Sequence, residues 1–133
     1  MNAAEVYLAY NRAENSHDWD ATTALLAPDI HVTVNGVCEV SSAEDDRRAM
    51  AQLVALFPDY RREVLQVVAD GNEAAIRWRM SAVSAEQPPV VLDVEGASFI
   101  TVAAGQICEA RLVAPSDELA RALQLARVDR ELA

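Results

Sequence analysis

A chain of 133 residues is one domain by length, large enough for a real core and too short for two. Its 52% hydrophobic and 24% charged residues are those of an ordinary globular protein. The net charge of -10, from 11 Lys+Arg against 21 Asp+Glu, repels phosphate backbones and anionic headgroups, so it argues against nucleic acid and membrane surfaces as partners.

The opening MNAAEVYLAYNRAE has no basic start ahead of an apolar core, and no apolar run approaches the roughly 18 residues of a spanning helix; a cytoplasmic protein is expected. From about Ala3 to Ala13, Val6, Tyr7, Tyr10 and Ala13 recur at helical steps. Asp18 or Asp20 can cap a second helix with Trp19, Ala24 and Leu25 on its apolar face, ending at Ala27 before Pro28. Asp29 to Val34 alternates as a strand, with Ile30, Val32 and Val34 on one face, and Asn35-Gly36 has turn chemistry. Ser41 and Glu44 form a candidate capping box for a third helix, whose inner face is Met50, Leu53, Val54 and Phe57. Pro58 ends it, having no amide hydrogen and disfavouring helical angles at Phe57.

A hairpin follows, Tyr60 to Ala69 and Glu73 to about Val83 around Asp70-Gly71. After the Glu86 to Pro89 loop come strands Val90 to Val102 and Gln106 to Ala114, joined at Ala104-Gly105, and Ser116 can cap a final helix. Three early helices are available to cover the apolar face of this sheet. The expected class is α+β: a cone-shaped curved antiparallel sheet wrapped around N-terminal helices, enclosing a cavity, in one domain over residues 1–133.

Cys38 and Cys108 are isolated thiols in strand-like segments and read as small apolar fillers. With His17 and His31 the only histidines and no compact cluster, no metal site is expected. Trp78 shares a strand face with Ile76 and Met80, so it belongs to a cavity wall or the core. Arg77 and Arg79 lie on the opposite face and, with Arg61, Arg62 and Glu63, read as surface or dimer ion pairs. Asp93 and Glu95 alternate along one strand. Such acids mark a solvated sheet face, unless that face is the concave one, where Glu95 is the natural second carboxylate.

Phe57-Pro58-Asp59, Asp70-Gly71, Arg77-Trp78, Gly105-Gln106-Ile107-Cys108-Glu109 and Asp117 seven residues before Gln124-Leu125 occur in this order over roughly Tyr7 to Leu125. The series resembles the SnoaL-like polyketide cyclases of the nuclear-transport-factor-2-like superfamily. The resemblance implies an apolar small-molecule substrate, acid/base chemistry next to a carbonyl with no cofactor, and a homodimer through the convex sheet face. It also implies that Asp117 is the acid-base aspartate. Tyr10, eight residues before Asp18, has the spacing of the oxyanion-donating tyrosine of ketosteroid isomerases. The isomerases' two acids would fall near Val34 and Ala97 and are missing, so that reaction is not expected.

The expected catalytic set is Asp117, Tyr10 and Glu95, with Tyr7, Trp19, Val34, Phe57, Trp78 and Phe99 for substrate binding. Asp117 has a second explanation, since Ser116-Asp117-Glu118 opens a helix, where acids are favoured. Phe99 and Thr101 replace polar residues of many cyclases and make the cavity more apolar. A binding or accessory protein of the same fold is the alternative, and an epoxide-opening enzyme a third, needing two opposed carboxylates in one cavity.

Overall fold

The computed structural model describes residues 1–115 together with Glu118 and Arg121, and the final helix expected from Ser116 lies outside them. Asn2 caps α1 (Ala3–Asn15) through a capping box with Glu5, and Asp18 caps the short α2 (Trp19–Ala24). The chain then enters β1 (Leu26–Val34) earlier than expected, passing through Pro28 as part of the strand. The β1 ladder is irregular there, shifting register between Leu26 and His31, which suits a residue that has no amide hydrogen to donate.

Asn35-Gly36, both at positive φ, form the two-residue turn into β2 (Val37–Val40), a strand the sequence reading did not assign. Cys38 is exposed on it rather than packed inside. Ser42, not Ser41, caps α3 (Ala43–Leu56), its hydroxyl accepting from the amide of Asp45 at 2.9 Å. At the corner after α3, Asp59 accepts from the amide of Val83 at 2.8 Å and ties the hairpin to it.

Strands β3 (Arg61–Asp70), β4 (Glu73–Val83), β5 (Val91–Ala103) and β6 (Gln106–Val113) form the antiparallel meander. The six-stranded order is β2-β1-β6-β5-β4-β3. The sheet is not wholly antiparallel, because β6 returns beside β1 and pairs with it in parallel. Register shifts occur between Val64 and Gln66, Thr101 and Val102, and Val32 and Thr33. Each adds an unpaired residue, and such bulges increase twist and curve an open sheet.

Helix α1 lies against β3, β4, β5 and β6 and helix α3 against β1 and β2, and their inner residues share one core with Ile76, Trp78 and Met80 of β4 and Val94, Ile100 and Val102 of β5. Trp78 faces Gly96 across the β4–β5 ladder. A Cβ at Gly96 would stand 2.5 Å from the carbonyl oxygen of Val113 and 2.7 Å from the indole, so glycine is what lets the ring lie flat against β5. On the outer face, Arg79 grips Asp93 through two contacts of 2.9 Å and Arg77 meets Glu95 at 2.7 Å, both diagonal neighbours across the ladder. No helix among the described residues is long and apolar enough to cross a membrane.

Candidate active site

Tyr7, Tyr10 and Glu14 follow one another at helical steps on the inner stripe of α1. Asp46 lies on the matching stripe of α3, four residues before Met50. Arg62 enters from β3 and Ser98 from β5. Together with apolar side chains such as Ile30, Leu53 and Ile107 they line a cavity of about 60 Å³. That is far below the few hundred Å³ that bury a drug-sized ligand.

The polar groups are paired in a defined way. Tyr10 donates its hydroxyl proton to Asp46 Oδ2 at 2.9 Å, and Tyr60 donates to Glu14 Oε1 at 3.0 Å. Arg62 donates through Nη1 to the Tyr7 hydroxyl oxygen at 3.1 Å, and the same nitrogen lies 3.6 Å from Glu14 Oε2. Its guanidinium stacks 5.0 Å from the Trp78 ring centre, and Trp78 Nε1 donates to Ser98 Oγ at 2.8 Å. The Arg62 backbone is clamped to α1 by Asn15, which accepts from its amide and donates to its carbonyl, both at 2.9 Å. Among the described residues, Asn11 Oδ1, Glu14 Oε2 and Arg62 Nε are buried with no hydrogen-bond partner.

Burial, reinforced by the nearby Glu14 carboxylate, pushes the Asp46 carboxyl up to about 7. The same desolvation raises Tyr7, Tyr10 and Tyr60 above the ordinary phenol value. For Arg62, burial opposes the charge, but Glu14 and the surrounding tyrosines outweigh it and hold the guanidinium charged. The result is a compensated ion pair beside a carboxyl poised to change protonation near neutral pH, in a mostly apolar chamber.

Residues 7–110 match the family model described as the SnoaL-like domain. The chain belongs to the SnoaL-like family. This SnoaL-like protein is also similar to IdmH of Streptomyces antibioticus, a proposed polyketide cyclase, at 20% identity and TM-score 0.78, over 93% of this chain and 99% of that one. A proposed SnoaL-like polyketide cyclase from Jannaschia sp. CCS1 shares 19% identity at TM-score 0.72, covering 91% and 90%. A proposed ketosteroid isomerase from Kribbella flavida DSM 17836 shares 20% at TM-score 0.67, covering 84% and 76%. At such identities the structures establish the fold alone, and it is the α+β cone expected of the family. No curated protein matches the chain in sequence.

Of the residues expected to form the site, Tyr7 and Tyr10 line the cavity together. Val34, Phe57 and Trp78 are buried in the core around it, Trp78 directly behind Arg62. Trp19 is half-buried and stacks on His17 at 5.7 Å, away from the cavity. Glu95 does not face the cavity: it is exposed on the convex face, held by Arg77. Phe99 is likewise 50% exposed on that face. Strand alternation turns Val94, Ser98 and Ile100 inward and therefore sends Glu95 and Phe99 out. Asp117 lies outside the described residues.

Arg62 corrects the surface reading: it is 7% exposed and part of the cavity wall. Its adjacency to Arg61 was the signal, because neighbouring residues on a strand must point to opposite faces. Glu14, Asp46, Tyr60 and Ser98 were also missed. Glu14 and Asp46 are in phase with the apolar stripes of their helices, a phase that marks them as inward-facing despite their charge.

Proposed function

We propose that this SnoaL-like protein is a cofactor-independent enzyme of natural-product biosynthesis, of the polyketide type, that closes a ring or shifts a double bond by removing a proton next to a carbonyl. The observation that carries the reading is the Asp46 carboxyl, raised to about 7 in an apolar cavity and oriented by Tyr10. A base with that value is half ionised near neutral pH and strong enough to accept a carbon-bound proton when water is excluded. In the step, the α C–H bond breaks, its proton goes to Asp46, and the electron pair moves onto the carbonyl oxygen as an enolate. In a cyclase the enolate carbon then bonds to a second carbonyl carbon, whose π electrons move to its oxygen and take the proton back from Asp46; in an isomerase the extended enolate takes that proton at another carbon. Net charge in the cavity is unchanged by the transfer, because the negative charge that leaves Asp46 reappears on the enolate, while Glu14 and Arg62 offset each other.

An epoxide-opening reaction has two carboxylates available, but one is engaged: Glu14 accepts from Tyr60 and faces Arg62, which favours a single working base. The test is deuterium uptake from D2O at the α-carbon of small apolar 1,3-diketones, followed by NMR. The wild type is expected to accelerate exchange and the Asp46→Asn variant to lose about 100-fold or more of it. Acceleration untouched in Asp46→Asn but lost in Asp117→Asn moves the base to Asp117. No acceleration by the wild type supports a binding protein of the same fold.

The convex face is our proposed dimer surface. Phe99, Val68 and Val113 are exposed there, among the Arg77–Glu95 and Arg79–Asp93 pairs, an apolar centre with a charged surround. Sedimentation equilibrium is expected to give twice the chain mass for the wild type and the single chain mass for Phe99→Glu. A monomeric wild type would sink the assignment.

A further inference from the structure

Among the described residues, Glu14 and Asp46 are the two acids that line the cavity. Glu14 is 0% exposed, and its two oxygens are used unequally. Oε1 accepts from Tyr60 at 3.0 Å, whereas Oε2 is buried with no hydrogen-bond donor among the described residues. Arg62 Nη1 lies 3.6 Å from Oε2 and offsets its charge, but gives its hydrogen bond to the Tyr7 hydroxyl. Charge balance and hydrogen bonding are separate requirements of a buried carboxylate, and only the first is met here.

We infer that Glu14 Oε2 is the acceptor of a subsite for a hydroxyl group, so that the cavity takes hydroxylated carbonyl compounds in preference to hydrocarbons and simple ketones. The missing partner is a donor, since a carboxylate oxygen offers only lone pairs. An ammonium group would donate too, but it would stand beside the Arg62 guanidinium, which repels it. A hydroxyl is a small neutral donor and suits a chamber of about 60 Å³. Glu14 is also close enough to Asp46 to act on its carboxyl, so a molecule held by its hydroxyl at Glu14 keeps the adjoining carbons near the Asp46–Tyr10 pair. β-Hydroxy ketones and the enols of 1,3-diketones carry a hydroxyl and an acidic C–H at that short separation.

This choice of substrate class rests on the acid/base reading, whereas the preference for a hydroxyl does not. Glu14 is a binding residue in it, and Asp46 remains the base.

Phenol and fluorobenzene, alike in size but only the first a donor, test the subsite by calorimetric titration. Both are added to the Asp46→Asn protein, in which Glu14 is the one acid left among the described cavity residues. A chamber with no free acceptor prefers fluorobenzene, because phenol gives up more hydration on entering it. Phenol is expected to bind more tightly than fluorobenzene, and adding Glu14→Gln is expected to lower the ratio of the two affinities about 10- to 100-fold. The amide oxygen accepts from Tyr60 in that variant, which turns an N–H donor to the former Oε2 side. Tighter binding of fluorobenzene, a ratio unmoved by Glu14→Gln, or no binding of either probe overturns the proposal. Should the Glu14→Gln protein fail to fold, the Glu14 carboxyl-carbon resonance of the Asp46→Asn protein decides. It must move further with phenol than with fluorobenzene, and equal shifts overturn the subsite. Asp46-dependent deuterium exchange without a phenol preference would leave the base assignment standing and sink the subsite. A Glu14-dependent phenol preference without exchange would leave a binding protein for hydroxylated compounds.

Discussion

The Asp46→Asn substitution is expected to remove most of the turnover and, above neutral pH, to make the protein more stable. The first effect follows from the loss of the base, worth roughly 100- to 10,000-fold for a positioned proton acceptor. The second follows from linkage. The carboxyl lies at about 7 in the folded protein against 3.8 for the free side chain. Below about pH 3 it is largely protonated in both states and has no effect on stability. As pH rises from there, the unfolded chain releases the proton first, so folding loses about 1.4 kcal/mol per pH unit until the native carboxyl also ionises near 7. Above that the cost levels at roughly 4 kcal/mol. An amide in the same place has no charge to bury and can still accept from Tyr10. Urea unfolding at acid and alkaline pH should therefore show two curves that lie nearest each other near pH 3 and diverge by several kcal/mol near pH 8, the variant above. Parallel curves, or a variant less stable at alkaline pH, would show that Asp46 is not the perturbed group. The activity profile supplies the complement, with kcat/KM of the wild type rising with pH to a plateau past a midpoint near 7.

Breaking the Glu14–Arg62 pair from one side is expected to be the most damaging substitution in the cavity. Arg62→Met keeps most of the side-chain volume but leaves Glu14, 0% exposed, with no cation. The typical cost of such a stranded charge is about 3–5 kcal/mol. It also frees Tyr7 from its donor and removes the group stacked on Trp78. Combining Arg62→Met with Glu14→Gln should recover roughly 1–3 kcal/mol of the summed losses, since the amide is neutral and still accepts from Tyr60. Strict additivity in urea unfolding would mean that the two side chains do not interact. The same variants reach Asp46 in opposite directions. Glu14→Gln lowers its titration midpoint by removing a neighbouring negative charge, and Arg62→Met raises it by removing a positive one. Carboxyl-carbon NMR titration reads both shifts.

Much of the architecture is legible in the residues themselves. The Val6, Tyr7 and Tyr10 stripe, the proline after Phe57, and the Asn35-Gly36 and Gly71 turns each act within a few residues, so period and turn chemistry suffice to place the elements. Partner choice is different. That β6 lies parallel to β1, and that a proline is tolerated within β1, depend on strands far apart in the chain. Bulges at Leu65, Glu39 and Cys108 change the parity of a strand part-way along, which alternation counted from one end does not reveal.

The site shows the same division more sharply. Sequence by itself determined the family, the cone, the inward stripe of α1 that carries Tyr7 and Tyr10, and the outward direction of Arg77 and Arg79. It did not determine which charges are buried. In isolation, Asp46 is one of several acids in the first turn of a helix and Arg62 one of two arginines on a strand, both ordinary surface patterns. Only the tertiary structure decided that these two enter the cavity while Glu95 and Phe99 leave it. Burial of a charge is stable when donors and counter-charges converge on it, and here they come from afar: Tyr60 reaches Glu14 across 46 positions, Arg62 reaches Tyr7 across 55, and Tyr10 reaches Asp46 across 36.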